Sequence, residues 1–445
     1  MKFVTAIVLI LAMVAPLSGR GGDKIFPYNY FIDDLPNGLR LITVPADYPD
    51  IVALYIIVQT GSRNEIESGK SGFAHLFEHL MFRGTEKFSP DKYGEILKNA
   101  GANSNAYTTD DRTVYHTIFS KEDLEQIVLL EADRFQNLKV AEELFKTETR
   151  AVLGEYNKNA ANPVRQLLES LRDTAFQSHT YKHTTMGFLR DVENMPNLYD
   201  YSLEFFKRYY RPEYTTIVVA GDVKRDHTLQ LVKKYWGEWK RGNYMPPIPK
   251  EPEQTKELTE HVSWPTPTLP LVAVAYKGPA YSDEQKDMPS MDLISNLGFS
   301  TNTELYQKLV IKEQKIDVLE TQFDDRMDPY LLTVVARVKD PKDVEYVKSE
   351  IIKTFESFKT NKVSKAKLEA VKSHLKYSFA LSLDNSEAIA AKLASYVALR
   401  RTPETINKLY TVYSSLNPDD LQEMAKKYFV EKHRTIVTLS HEEKQ

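Results

Sequence analysis

The sequence predicts an α+β protein built from two α/β sandwich domains that a linker joins. Three observations support this prediction. Apolar runs with strand composition alternate with amphipathic helical segments, a polar, proline-bearing stretch interrupts the alternation near the middle, and one helix–strand unit recurs in both halves. The chain has 445 residues, which is too long for one typical domain and suggests two or three.

The elements of the first half follow from its apolar runs. IVALYIIVQ, TVYHTIF and TTIVVAG, at residues 51–59, 113–119 and 215–221, are predicted strands, and long amphipathic helical segments separate them. The stretch KRGNYMPPIPKEPEQTKE, at residues 240–257, lacks such periodicity. We therefore predict a first domain over residues 23–240, a linker over residues 241–257 and a second domain over residues 258–445.

A faint internal repeat links the two halves. Five residues of KRYYRPEYTTIVV recur 219 positions later in KKYFVEKHRTIVT, and both segments are predicted to form a helix followed by a strand. The first set is Lys207, Tyr209, Thr216, Ile217 and Val218, and the second is Lys426, Tyr428, Thr435, Ile436 and Val437. Duplication of a domain explains the repeat, and so does chance similarity between two helix–strand units.

Composition excludes several classes of protein. The formal net charge is −4, which gives no support for a nucleic-acid partner. The chain contains no cysteine, which excludes disulfides and thiolate metal sites. Any metal site in this protein must therefore be built from histidine and carboxylate side chains.

The first residues, MKFVTAIVLILAMVAPLSG, have the layout of a secretory signal peptide, with one lysine, an apolar run and then small residues. The run is shorter than the roughly 18–20 residues of a spanning helix, and Pro16 ends it. We assign residues 1–22 to the signal peptide, with cleavage near Ala15 to Gly19. We expect a periplasmic or secreted protein without stable membrane insertion, and an uncleaved membrane anchor is the alternative.

The most informative motif is His-Leu-Phe-Glu-His at residues 75–79, inside the apolar stretch SGFAHLFEHLMF. On a helix, His75, Glu78 and His79 share one face. Two histidines at this spacing can hold a zinc ion while the glutamate reaches water at the open coordination position. The alternative is a solvated helix face that binds no metal.

A zinc site needs a third protein ligand. The helical pattern EDLEQIVLLEADRFQNLKVAEELFKTETRAVLGEYNKN offers Glu148 and Glu155, which lie one heptad apart. One heptad makes about two helical turns, so both carboxylates face the same way. Taken alone, each of them is equally well explained as an ordinary solvated glutamate.

Together these residues resemble the pitrilysin-type, or inverzincin, zinc metallopeptidases. The family motif is His-x-x-Glu-His, followed at a long and characteristic spacing by a liganding glutamate, with a second glutamate one heptad before that ligand. Here Glu155 follows His79 at the matching spacing, and Glu148 lies one heptad before Glu155. The resemblance covers roughly positions 30 to 240 and includes the segments GSRNEIESGKSGFAHLFEHLMFRGTEKFSP, GANSNAYTTDDRTVYH and RYYRPEYTTIVVAGDV.

The resemblance implies a zinc endopeptidase that hydrolyses peptides and holds one zinc ion per chain. It assigns His75, His79 and Glu155 as zinc ligands and Glu78 as the general base that takes a proton from water and delivers it to the leaving amine. Glu148 is implied to act beside the ligands, where it supports a histidine ring or the zinc-facing helix.

The resemblance also implies where a substrate binds. Asn105, Ala106 and Tyr107 match a family segment that forms an edge strand, onto which the peptide adds as a further strand. A plain hairpin is the alternative. The family is built from two homologous α+β domains, which favours duplication as the explanation of the internal repeat.

The second half departs from the family pattern. Active members carry an arginine there and, one heptad later, a tyrosine, which bind the substrate carbonyl and stabilise the oxyanion. Aligning LYQKLVIKEQKIDVLE on this pattern places Val310 and Asp317 at the two positions. Valine donates no hydrogen bond, and an ionised aspartate repels a developing negative charge.

This departure bears on assembly. In two-domain members of the family, the zinc domain of one chain faces the second domain of its partner in a clamshell. We therefore expect a homologous partner subunit that supplies arginine and tyrosine, and a homodimer is possible for the chain alone. A non-catalytic scaffold subunit and a module that binds peptides without cleaving them are the alternative functions, and the complete ligand set favours the peptidase.

Overall fold

The computed structural model describes residues 24–441, so the predicted signal peptide at residues 1–22 lies outside the described residues. The strands are β1 (Phe31–Asp34), β2 (Arg40–Pro45), β3 (Ile51–Val58), β4 (Asn103–Thr108), β5 (Thr113–Ser120), β6 (Thr215–Gly221), β7 (Leu258–Trp264), β8 (Leu271–Lys277), β9 (Ile316–Gln322), β10 (Leu331–Val338) and β11 (Arg434–His441).

The helices are α1 (Phe73–Leu80), α2 (Pro90–Asn99), α3 (Leu124–Asn137), α4 (Glu142–Ala160), α5 (Pro163–Ala175), α6 (Leu189–Asn194), α7 (Tyr199–Tyr209), α8 (Arg225–Trp236), α9 (Asp287–Phe299), α10 (Glu304–Tyr306), α11 (Val344–Thr360), α12 (Lys365–Leu381), α13 (Ser386–Arg400), α14 (Glu404–Ser415) and α15 (Pro418–Tyr428). Across residues 24–441, none of the helices combines the length and the apolar composition that crossing a membrane requires.

Two mixed sheets form the framework of the protein. The strand order is β1-β2-β6-β3-β5-β4 in the first sheet and β7-β11-β8-β10-β9 in the second. The pairs β2–β6 and β7–β11 are parallel, and the neighbouring pairs are antiparallel in both sheets. The two sheets therefore share one topology apart from the additional β1, and β4 and β9 are corresponding edge strands. The predicted α+β fold with two similar sandwich domains is confirmed.

The sequence repeat coincides with this structural duplication. Helix α7 begins at Tyr199 and α15 at Pro418, and strand β6 begins at Thr215 and β11 at Arg434. Both pairs of starting positions have the same offset as the repeat, since 418 − 199 and 434 − 215 both equal 219. The helix–strand unit that recurs in the sequence is thus the same structural element in both halves.

The two halves exchange helices. Helix α13 packs on the first sheet against β3 and β6, where Leu393 and Val397 are buried. Helix α5 packs on the second sheet against β7 and β11 through Leu167 and Leu171. The segments predicted as separate domains are therefore interlocked, while residues 241–257, the predicted linker, contain neither helix nor strand.

The first sheet is covered on both faces. Leu54 and Ile56 of β3 belong to the core that includes α1, whereas Tyr55 and Ile57 belong to the core that includes α13. Since successive side chains of a strand point to opposite faces, α1 and α13 lie on opposite sides of the sheet. Helix α1, which carries the His-Leu-Phe-Glu-His motif, is held by the first of these two cores.

Candidate metal centre

The direction of the motif residues is fixed by the apolar face of α1. This face is buried in the core of the first sheet and consists of Phe73, Leu76, Phe77 and Leu80. Helix α4 packs against α1. Because the apolar face is anchored on the sheet, His75 and His79 point to α4, where they meet Glu155.

The amino-terminal end of α1 is also fixed. Gly72, which precedes the helix, has φ 95°, a left-handed conformation that favours glycine, and a Cβ atom there would lie 2.9 Å from the carbonyl oxygen of Met186. The buried carboxylate of Glu65 accepts hydrogen bonds from the backbone N–H groups of Gly72 and Ala74, both at 2.7 Å. Glu65 therefore satisfies free N–H groups at the positive end of the helix.

Three side chains from α1 and α4 converge. The candidate ligand atoms of His75, His79 and Glu155 lie within 4.8 Å of one another. Oε2 of Glu155 is 3.6 Å from Nε2 of His75 and 3.6 Å from Nε2 of His79. Ligand atoms around a tetrahedral zinc ion are about 3.3 Å apart, given bond lengths of about 2.0–2.1 Å. The three residues therefore fit zinc, and no second grouping of this kind occurs within residues 24–441.

The ligand set is buried at one end and open at the other. The side chain of His75 is 8% exposed and that of Glu155 is 42% exposed. Burial, and to a smaller extent the nearby His79, lowers the pKa of His75 to about 4. His75 is therefore neutral at pH 7, which is the form that binds a metal ion, and the exposed side of Glu155 leaves the centre open to solvent.

Glu148 lies beside the ligands. It is buried, and its Oε2 atom is 3.8 Å from Nδ1 of His79, the ring nitrogen that faces away from Glu155. Arg83 contacts both oxygens of Glu148, with Nε–Oε1 and Nη2–Oε2 distances of 2.9 and 3.0 Å. Nδ1 of His75, by contrast, is buried without a hydrogen-bond partner in the described part of the chain. This placement agrees with a supporting role of Glu148 toward His79, which stays a prediction.

Glu78 shares the open side of α1 with the two histidines. Its Oε2 atom accepts a hydrogen bond of 2.6 Å from the hydroxyl of Thr108, the last residue of β4. Burial raises the pKa of Glu78 above its ordinary value, and the hydrogen bonds from Thr108 and the nearby His79 oppose this increase. A carboxylate in this position is placed to exchange a proton with water beside the metal ligands.

The predicted substrate-binding residues lie on an open strand. Asn105, Ala106 and Tyr107 belong to β4, which pairs with β5 on one side and forms the edge of the first sheet on the other. The backbone N–H of Ala106 donates to Oδ1 of Asn105 at 2.9 Å. Strand β4 packs next to α1. The open edge therefore runs along the helix that carries the candidate ligands.

Val310 and Asp317, the two residues of the second half that depart from the family pattern, have ordinary structural roles. Val310, in a helical turn over residues 307–312, is half-buried against the core of the second domain. Asp317 in β9 accepts hydrogen bonds from Nε and Nη2 of Arg337, at 2.8 and 2.9 Å, which hold the pKa of Asp317 below its ordinary value. Neither side chain offers a donor for an oxyanion.

Sequence reasoning missed three residues of the centre. Arg83 follows His79 by four residues, just beyond the end of α1 at Leu80, and this short separation from the motif is a local signal that could have indicated it. Glu65 and Thr108 belong to separate segments of the chain. Their contacts with α1 depend on the tertiary fold, and no local pattern in the sequence indicates them.

Comparison with known families gives a consistent assignment. The family described as insulinase, peptidase family M16, matches residues 41–188, and the family part described as the peptidase M16 inactive domain matches residues 198–375. The two parts together cover most of the chain in the order in which the two sheets occur. The chain belongs to peptidase family M16, as the resemblance in its sequence predicted.

Individual relatives cover nearly the whole chain. Zinc protease PqqE of Helicobacter pylori is 29% identical over 411 residues, which cover 91% of each chain. The probable mitochondrial-processing peptidase subunit beta of Arabidopsis thaliana is 24% identical over 91% of this chain and 77% of its own length. A crystal structure of a protease from Helicobacter pylori has a TM-score of 0.87 at 28% identity, over 93% of this chain and 99% of that chain.

Proposed function

We propose that this protein is a zinc-dependent endopeptidase that hydrolyses peptides or unfolded polypeptide segments. One observation carries the proposal, the convergence of His75, His79 and Glu155 from two helices, with Glu78 on the same side of α1. The Helicobacter pylori relative is named as a zinc protease, which supports the same chemistry.

Each residue of the centre then has a role. His75, His79 and Glu155 would hold one zinc ion per chain, the histidines through a ring nitrogen and the glutamate through a carboxylate oxygen. A bound zinc ion supplies Lewis acidity that polarises water and the scissile carbonyl. Glu78 takes the proton of the attacking water and delivers it to the leaving amine. Glu148 keeps the ring of His79 in the liganding orientation.

The open edge of β4 suggests how the substrate is held. An extended peptide that pairs with β4 forms main-chain hydrogen bonds along Asn105, Ala106 and Tyr107. The N–H of Ala106, which bonds to the side chain of Asn105 in the free protein, is available for such pairing after a rotation of that side chain. Main-chain pairing accepts many sequences, which suits a peptidase of unfolded segments.

The second half supports a two-subunit enzyme. Val310 and Asp317 supply no donor for the oxyanion, so a homologous partner subunit is proposed to supply arginine and tyrosine across the clamshell. The chain alone is proposed to form at most a weakly active homodimer. The signal-peptide layout of residues 1–22 supports a periplasmic or secreted location. Sequencing the amino terminus of the native protein tests the location, and an intact Met1 in a membrane fraction would contradict it.

The experiment that tests the activity uses the full mature chain, alone and mixed with a homologous chain of the same genome that carries arginine and tyrosine. We expect one zinc ion per chain and hydrolysis of an unstructured, internally quenched peptide in the mixture. Glu78→Gln should retain zinc and lose about 10²–10⁴-fold in rate. Glu95→Gln, an exposed glutamate on α2, is the matched control and should behave as wild type.

Two results would overturn the proposal. A wild-type chain that binds no zinc and cleaves nothing in either preparation would point to a scaffold. A chain that binds the peptide with zinc present but gives no product, with or without the partner, would point to a module that sequesters peptides. Peptide binding measured by fluorescence anisotropy distinguishes these two outcomes.

A further inference from the structure

One hydrogen bond of the candidate centre connects α1, which carries the proposed general base, with β4, on which the peptide is proposed to pair. The hydroxyl of Thr108 donates a hydrogen bond of 2.6 Å to Oε2 of Glu78. This length is typical of a hydroxyl that donates to an ionised carboxylate, about 2.5–2.7 Å. Within residues 24–441, Thr108 is the only residue whose side chain donates a hydrogen bond to Glu78.

A glutamate side chain has three rotatable torsions, so its carboxylate needs an external contact to stay in one place. Thr108 is well suited to provide this contact. Threonine is β-branched and stiff at its first torsion, and Thr108 is the last residue of β4, paired with Thr113 of β5. The hydroxyl therefore occupies a position that the sheet determines.

The turn that follows Thr108 is itself anchored. The buried carboxylate of Asp110 accepts hydrogen bonds from Ser62 and Arg172, both at 2.7 Å, and contacts Arg326 of the second half at 2.9 Å. Asp111 accepts hydrogen bonds from the hydroxyl of Tyr181 at 2.7 Å and from the backbone N–H of Met327 at 2.9 Å. The end of β4 is thus held by both halves of the protein.

We propose that Thr108 is a positioning residue for peptide hydrolysis, which holds Oε2 of Glu78 so that the carboxylate is placed to accept the proton of the attacking water. This inference rests on the proposed peptidase function. Because Thr108 ends the strand on which the peptide is proposed to pair, one short segment sets both the register of the substrate and the place of the base. Misplacing a catalytic group by about 1 Å can cost about 10²-fold in rate.

The test compares Thr108→Val, Thr108→Ser and Thr117→Val in the active preparation. Valine preserves the shape and removes the hydroxyl, and serine restores it. Thr117 is the matched control, since it lies in the same hairpin and its hydroxyl bonds to Ser104 at 3.1 Å. We expect Thr108→Val to lower kcat about 10–100-fold with KM and zinc content unchanged, Thr108→Ser to recover most of the rate, and Thr117→Val to match wild type.

Two further measurements make the test specific. Adding Thr108→Val to Glu78→Gln should lower the residual rate no further, because both changes act through one carboxylate. Crystal structures of zinc-loaded wild type and Thr108→Val should show the Glu78 carboxylate displaced in the variant, and this readout does not depend on activity. An undisplaced Glu78, equal rates for wild type and Thr108→Val, or an additive double variant would each overturn the inference. A wild type that hydrolyses nothing refutes the proposed function instead, and the displacement of Glu78 then decides the positioning role.

Discussion

The helix pairs α1/α4 and α9/α12 occupy corresponding places in the two halves but have different side chains. The two helices of each pair pack against each other. Helices α1 and α9 follow the corresponding strands β3 and β8, and α4 and α12 are the second helices after the corresponding hairpins. In the first pair, polar residues converge between the helices. In the second pair, α9 contributes apolar side chains to the core, and Met291, Leu293 and Ile294 are buried. The two halves therefore share one topology, and a few side chains determine whether a helix pair can hold a metal ion.

The largest expected effect is the loss of bound zinc when a candidate ligand in α1 or α4 is replaced, because only the first helix pair is predicted to hold a metal ion. His75→Ala, His79→Ala and Glu155→Gln should each reduce bound zinc from one ion per chain to a small fraction, because each removes a ligand from a set of three. His374→Ala is the control from the second half, because His374 is an exposed histidine of α12. This variant should retain the ion. Metal analysis after dialysis decides the question, and wild-type zinc content in the three ligand variants would refute the assignment.

The second effect concerns the oxyanion. Val310 and Asp317 stand at the two positions where the predicted alignment expects arginine and tyrosine, so we expect the chain alone to hydrolyse peptides feebly. Adding a homologous subunit that carries both should raise kcat/KM by about 10²–10³, the usual cost of one missing oxyanion donor. Glu78→Gln in this chain should lower the activity of the mixture about 10²–10⁴-fold. Strong cleavage by the purified chain, unchanged when the partner is added, would show that another group stabilises the oxyanion.

The third expected effect is a lower affinity for zinc when Glu148, which lies beside the candidate ligands, is replaced. Glu148→Gln should weaken zinc binding about 10–100-fold, because His79 loses a charged neighbour that orients its ring. Arg83→Gln should have a smaller effect, since it leaves Glu148 in place. Glu143→Gln, an exposed residue of α4, is the control. Competition with a chelator measures the affinities, and identical values for Glu148→Gln and Glu143→Gln would exclude a supporting role of Glu148.

The sequence predicts what depends on local spacing. The strands around residues 51–59, 113–119 and 215–221 could be predicted because their apolar runs are continuous, and the repeat at an offset of 219 predicted the second helix–strand unit. The exchange of α5 and α13 between the halves could not be predicted. Each helix has one buried face, and nothing in its own sequence says which sheet that face covers.

The same distinction applies to the candidate centre. His75, Glu78 and His79 lie within little more than one helical turn, so helical geometry alone brings them together. Glu155 lies on a different helix, far along the chain from His79, and its assignment needed the spacing of a known family. The contacts of Thr108 with Glu78 and of Glu65 with the end of α1 join segments that lie outside the motif helix, so they emerged with the fold.

The smallest expected effect is on the pH dependence of the free energy of unfolding, and it comes from carboxyl groups in the turns that follow β4 and β9. In the first turn, burial of Asp110 is outweighed by Arg172 and Arg326, which hold its pKa far below the ordinary value. In the second turn, burial and the nearby Asp292 and Asp324 raise the pKa of Asp325 to about 7, and Arg112 and Arg326 only partly oppose this. Asp110 is thus charged at neutral pH, while Asp325, which is half-buried, is largely protonated below pH 7.

The sign of the pH dependence follows. The pKa of Asp325 is higher in the folded protein than the roughly 3.9 of an unfolded chain, so its contribution to stability is full below about pH 4 and is lost as the pH rises through 7. Asp325→Asn should therefore raise the free energy of unfolding by about 1–2 kcal/mol at pH 8 and change it little at pH 4. Asp110→Asn should destabilise at pH 8, because Arg172 and Arg326 lose a charged partner. Thermal unfolding of both variants at the two pH values tests this, and a stabilisation by Asp325→Asn that is equal at pH 4 and pH 8 would show that Asp325 does not titrate between them.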